Sequence, residues 1–202
     1  MLVLANNTKN FSHGKIYLFC AQLTSLLRLI LVPFLAVFAS LGEVVVFLSI
    51  LAVSLTSDML DGYFARKLHQ TTELGARLDS WADMLTYAAM ILGLYLIWPQ
   101  LFFAQVVFVC AAALSYVLPV LLSLYRFSVF PSYHTWGAKI AAVLIAPAYY
   151  LLVLYGYQTF FQLVILFHLL VAVEEMAITL ILKRPQTNIH SILQLRNKAA
   201  RK

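Results

Sequence analysis

Acidic side chains are scarce in this chain: 8 Asp and Glu stand against 14 Lys and Arg in 202 residues. Charged residues of both signs make up 11%, under half the ~25% usual for a soluble domain. Only 2 cysteines occur, Cys20 and Cys110, each within an apolar run. That argues against a disulfide framework or a thiolate metal centre and reads as two small buried hydrophobes. With 7 glycines and 6 prolines the chain is neither collagen-like nor a low-complexity linker. No basic run with interleaved aromatics is found, so nucleic acid is not an expected partner. What fills the space is apolar: 63% of residues, with a mean hydropathy of +0.88. Disorder and coiled coil are excluded, and the chain reads as a polytopic membrane protein.

A helix needs about 20 apolar residues to cross a bilayer. Six such segments are expected, over 22–40, from 44 past 57, 78–98, 101–125, 136–155 and 159–182. Residues 1–21 read as a short amphipathic lead without the features of a signal peptide, so the first span is expected to do the targeting. Residues 183–202 read as a basic tail. The expected fold is all-α: one integral-membrane six-helix bundle occupying 1–202. The turns near Gly42, Pro99–Gln100 and Gly156–Gln158 carry no Lys or Arg. Apart from Arg28, every Lys and Arg falls on the other side, which predicts that both termini and the second and fourth loops are cytoplasmic.

All four aspartates fall between positions 58 and 83. Asp58 and Asp61 are three apart, and Asp79 and Asp83 four apart, so each pair shares one helix face. Residues 67–74 read as the cytoplasmic loop between two antiparallel helices. A solvated acidic loop would explain Asp58 and Asp61, but Asp79 and Asp83 lie inside the third predicted span. An aspartate at the bilayer centre costs on the order of 2.5–3.5 kcal/mol, and four together also repel. Divalent cations would compensate them, and hard oxygen donors suit Mg²⁺, Mn²⁺ or Ca²⁺. Two metals about 4 Å apart are a device for phosphoryl displacement. Gly62 and Gly75 would let a ligand approach the backbone, and Arg66 could neutralise phosphate oxygens.

The order Asp58-x2-Asp61-Gly62-x2-Ala65-Arg66-x8-Gly75-x3-Asp79-x3-Asp83 resembles the signature of the CDP-alcohol phosphatidyltransferases at every fixed position. The resemblance implies transfer of a phosphatidyl group from CDP-diacylglycerol to a small polar alcohol, with release of CMP. By carry-over, Asp58, Asp61, Asp79 and Asp83 would bind two divalent cations, Mg²⁺ or Mn²⁺, and Asp83 would also act as general base. Gly62, Ala65, Arg66, Thr72 and Gly75 would contact the CDP-lipid. In the first span, Gln22, Ser25 and Arg28 are similar to a family Asn-x2-Thr-x2-Arg pattern, which adds Gln22 and Ser25 to the CDP-lipid contacts. The resemblance also implies a homodimer and, for a short bacterial-type member, the inner membrane with a cytoplasm-facing site.

The implied acceptor is glycerol 3-phosphate, with inositol, inositol phosphate, serine and phosphatidylglycerol as alternatives. Arg126, Lys139 and His134 are candidate acceptor contacts. The family's Gly-Lys-x-Lys-Thr element is only partly kept here, around Gly137 and Lys139. Arg28 lies inside a span and is expected to pair with Glu174 or Glu175, since an unpaired ion there is costly. His168 reads as a packed helix residue. Two other classes fit four aspartates, a cation transporter and an inactive scaffold. The first would place its acids near the bilayer midplane, and the second would be expected to have lost a motif residue.

Overall fold

The structure, a computed structural model, describes residues 25–68, 73–129 and 135–182, and within these ranges it does not describe the side chains of 58–68 and 73–77. The expected lead over 1–21, Gln22, Thr72, His134 and the basic tail lie outside the described residues. All regular structure that is described is helical. The helices are α1 (Ser25–Ser40), α2 (Val44–Leu68), α3 (Glu73–Ile97), α4 (Pro99–Ala104), α5 (Val106–Phe127), α6 (Trp136–Tyr155) and α7 (Gln158–Ile181).

Four of them are long and apolar enough to cross a membrane: Leu78–Ile97 within α3, then α5, α6 and α7. At 1.5 Å per residue, the 20 residues of Leu78–Ile97 match the ~30 Å hydrocarbon core. The apolar parts of α1 and α2, Ser25–Ser40 and Val44–Ser57, are shorter. Large aliphatic side chains stand outward on these helices, among them Val45, Val107, Leu163 and Leu170. That pattern suits lipid around the helices, not water.

The chain divides after Pro99 into two compact units. In the first, α1 stops where Gly42 adopts a left-handed conformation (φ +72°) and the Leu41, Gly42 and Glu43 N–H groups turn back onto the last carbonyls of the helix. Only glycine takes that backbone cheaply. The link between α2 and α3 is the four residues 69–72, so these helices form an antiparallel hairpin. The predicted loop over 67–74 is therefore too long. Both helices continue as helical backbone past their apolar stretches. Leu35, Phe47, Leu51, Ala82 and Leu94 are fully or almost fully buried.

In the second unit α7 packs against both α5 and α6, burying Ile145, Leu152, Ile165 and Ile178. The predicted boundaries of α6 agree with the structure. The side-chain oxygen of Thr135 accepts from the Ala138 N–H at 3.1 Å to start that helix, and Gly156 (φ +68°) ends it. The fourth predicted span needs correction. It is cut into α4 and α5 at Gln105, whose side chain is almost wholly buried. Its amide donates to Gln158 Oε1 at 2.8 Å and accepts from Gln162 Nε2 at 3.0 Å. A buried amide must find such partners, and Gln105 finds them on α7. Cys110 also differs from expectation: it is a free thiol on an exposed face of α5.

Candidate functional site

The first unit carries the site. The α2–α3 hairpin brings the carboxyl-terminal turns of α2, which hold positions 58 and 61, to the same end as the first turns of α3, which hold positions 79 and 83. The side chains of Asp58, Asp61, Ala65 and Arg66 are not described. Gly62 and Gly75 lie within helical backbone. Asp79 and Asp83 are described, one helical turn apart on α3. They are 52% and 35% exposed, while Arg28, which reaches them from α1, is 2% exposed.

Arg28 spans the two carboxylates. Its Nη1 donates to Asp83 Oδ1 at 2.5 Å, and its Nη2 donates to Asp79 Oδ1. Ser25, one turn earlier on α1 and 5% exposed, directs its Oγ at the same Asp79 oxygen from 3.5 Å, a distance at which the bond is weak. Two neighbouring carboxylates repel. A guanidinium that bonds one with each terminal nitrogen cancels part of that repulsion and fixes their relative orientation. The need of a buried cation for a carboxylate is met within this unit by Asp79 and Asp83.

Among the described residues no group of three or more His, Cys, Asp or Glu could hold a metal ion. Asp79 and Asp83 form a described pair of partly exposed hard oxygen donors, which is the donor chemistry Mg²⁺ or Mn²⁺ prefers. Ser25, an expected CDP-lipid contact, lies beside Asp79, and Arg28 of the same helix face joins both aspartates. The available signal was spacing: Ser25 and Arg28 are three apart on one face, and Asp79 and Asp83, four apart, also share one.

The candidate acceptor residues with described side chains lie in the second unit. Arg126, in the last turn of α5, donates from Nη2 to the Leu182 carbonyl at 3.1 Å, closing the end of α7. Its guanidinium also lies 5.7 Å from the centre of the Phe127 ring. Lys139 Nζ sits 5.0 Å over the Trp136 ring, a cation–π contact at the start of α6. Glu174 comes close to that helix start: a Cβ added at Gly137 would lie 3.6 Å from its Oε2. His168 turns Nδ1 to the Val164 carbonyl of its own helix at 2.9 Å, as a packed helix residue would.

Comparison with known proteins gives one match. A family model described as CDP-alcohol phosphatidyltransferase covers residues 18–182. No curated protein and no solved structure matches the chain.

Proposed function

The chain belongs to the CDP-alcohol phosphatidyltransferase family, and on that premise we propose that it transfers a phosphatidyl group from CDP-diacylglycerol to a hydroxyl of glycerol 3-phosphate. The family's chemistry makes the chain a transferase of phospholipid synthesis that acts on a CDP-alcohol, and its apolar helices make it an integral membrane protein. The acceptor oxygen attacks the phosphorus that bears diacylglycerol. The bond from that phosphorus to CMP breaks, and CMP leaves with the electron pair.

The single observation that carries the reading is the Asp79–Arg28–Asp83 cluster. It presents two half-exposed carboxylates at the end of the hairpin where the family motif lies. Asp58, Asp61, Asp79 and Asp83 would hold Mg²⁺ or Mn²⁺, which when bound supplies charge neutralisation and polarisation of the pyrophosphate. Asp83 accepts the proton of the acceptor hydroxyl. Gly62, Ala65, Arg66, Thr72 and Gly75, with Gln22 and Ser25, would contact the CDP-lipid. The distribution of Lys and Arg along the sequence supports a site facing the cytoplasm, and the inner membrane of a bacterium and a homodimeric assembly follow the family resemblance.

The test is purified protein with CDP-diacylglycerol, Mg²⁺ or Mn²⁺, and a panel of acceptors: glycerol 3-phosphate, inositol, inositol phosphate, serine and phosphatidylglycerol. CMP release that depends on glycerol 3-phosphate supports the proposal. Release with another acceptor alone overturns the acceptor assignment, and release with none overturns the reaction.

A further inference from the structure

Arg28 and the two aspartates differ sharply in exposure. The Arg28 side chain is 3% exposed and the Asp79 and Asp83 side chains are 52% and 35% exposed. The cation therefore backs the carboxylates from the protein side and leaves them turned outward. Each terminal nitrogen takes a different carboxylate, and each bond ends on Oδ1. Ser25 adds a contact to Asp79 from the preceding turn of α1. One planar group thus bridges two side chains that are one helical turn apart and would otherwise repel and sample separate rotamers.

We infer that Arg28 is a positioning residue: its planar fork clamps Asp79 and Asp83 in the orientation in which they bind a divalent cation, and its charge alone does not suffice. The inference rests on the proposed metal role of these aspartates. Lysine is the informative replacement. It keeps one positive charge on a flexible stem but has a single nitrogen, so it cannot hold two carboxylates in a fixed plane. Outer partners of metal ligands commonly set affinity through such orientation, and their loss costs about 10–100-fold in metal affinity or activity.

The readout is Mn²⁺ binding by electron paramagnetic resonance, on purified wild type, Arg28→Lys and Arg28→Gln, without CDP-lipid. Monodispersity and thermal unfolding in detergent identify the folded fraction. Arg28→Lys is expected to bind Mn²⁺ about 10–100-fold more weakly per folded molecule, and Arg28→Gln at least as weakly. A purely structural role would lower the unfolding temperature and leave the affinity of the folded fraction unchanged. Unchanged or tighter Mn²⁺ binding in folded Arg28→Lys overturns the clamp. Should that variant not fold, Arg28→Gln decides by the same criterion, and Ser25→Ala adds a milder loss on the Asp79 side. Wild type that binds no Mn²⁺ overturns both the metal assignment and the clamp. Wild type that binds Mn²⁺ yet releases no CMP overturns the reaction alone.

Discussion

The Phe47 ring of α2 occupies the space that a Cβ on Gly93 of α3 would need. Phe47 is fully buried and meets Trp98 edge-on, with ring centres 6.4 Å apart. The glycine is therefore what lets a large aromatic ring pack between the hairpin helices. Gly93→Ala improves local helix propensity yet forces the ring or the helices to shift, and overpacking of this kind costs about 1–3 kcal/mol. The expected result is a lower unfolding temperature in detergent. Phe47→Leu in the same chain should recover part of the loss. A Gly93→Ala protein as stable as wild type would show that the hairpin yields freely at this point.

Gln105 makes a second, polar lock in the other unit, bonded to Gln158 and Gln162 of α7. Gln105→Leu keeps roughly the same volume and removes both bonds. Each polar contact between membrane helices is worth about 1 kcal/mol, and both α7 amides lose a partner. The variant should be less stable by about 1–3 kcal/mol, with faster hydrogen exchange at the start of α7. Gln105→Glu, which keeps an acceptor but changes the donor, should fall between the two.

How far the sequence reveals this molecule can be judged from the same residues. The ends of α6 were readable because Thr135 and Gly156 are local signals, needing nothing from elsewhere in the chain. The cut at Gln105 was not, because one amide in an apolar run looks like a tolerated polar residue until Gln158 and Gln162 are beside it. Arg28 fell between these cases. Its depth called for a carboxylate, but that Asp79 and Asp83 supply two depends on how α1 and α3 pack within the first unit, and helical period carries no such information. The family motif was readable from spacing alone. The described structure adds that Asp79 and Asp83 share one guanidinium.

Arg126 bonds the Leu182 carbonyl at the end of α7. A cation there also complements the negative end of that helix. Arg126→Ala is expected to cost about 0.5–1 kcal/mol, since the side chain is exposed. The loss should appear as faster hydrogen exchange in the last turn of α7. If capping is its whole role, the KM for glycerol 3-phosphate stays at the wild-type value. A large rise in that KM with unchanged exchange would assign Arg126 to the acceptor instead.

Asp83 accepts Arg28 Nη1 through Oδ1 and is partly open to solvent. Asp83→Asn keeps the shape and an oxygen that can still accept from Arg28, so the helix and its contact with α1 should survive. What is lost is the negative charge that takes the acceptor proton and joins in metal binding. Turnover should fall by about 10²–10⁴-fold, the range for losing a positioned base. Binding of CDP-diacylglycerol should be largely retained, because its other contacts are untouched. Asp79→Asn separates the two roles: it should weaken Mn²⁺ binding and leave some turnover at high metal concentration. Added metal should not restore Asp83→Asn to the same extent. Measured CMP release across a Mn²⁺ titration decides the matter. Equal turnover in wild type and Asp83→Asn at saturating metal would remove Asp83 from the role of base.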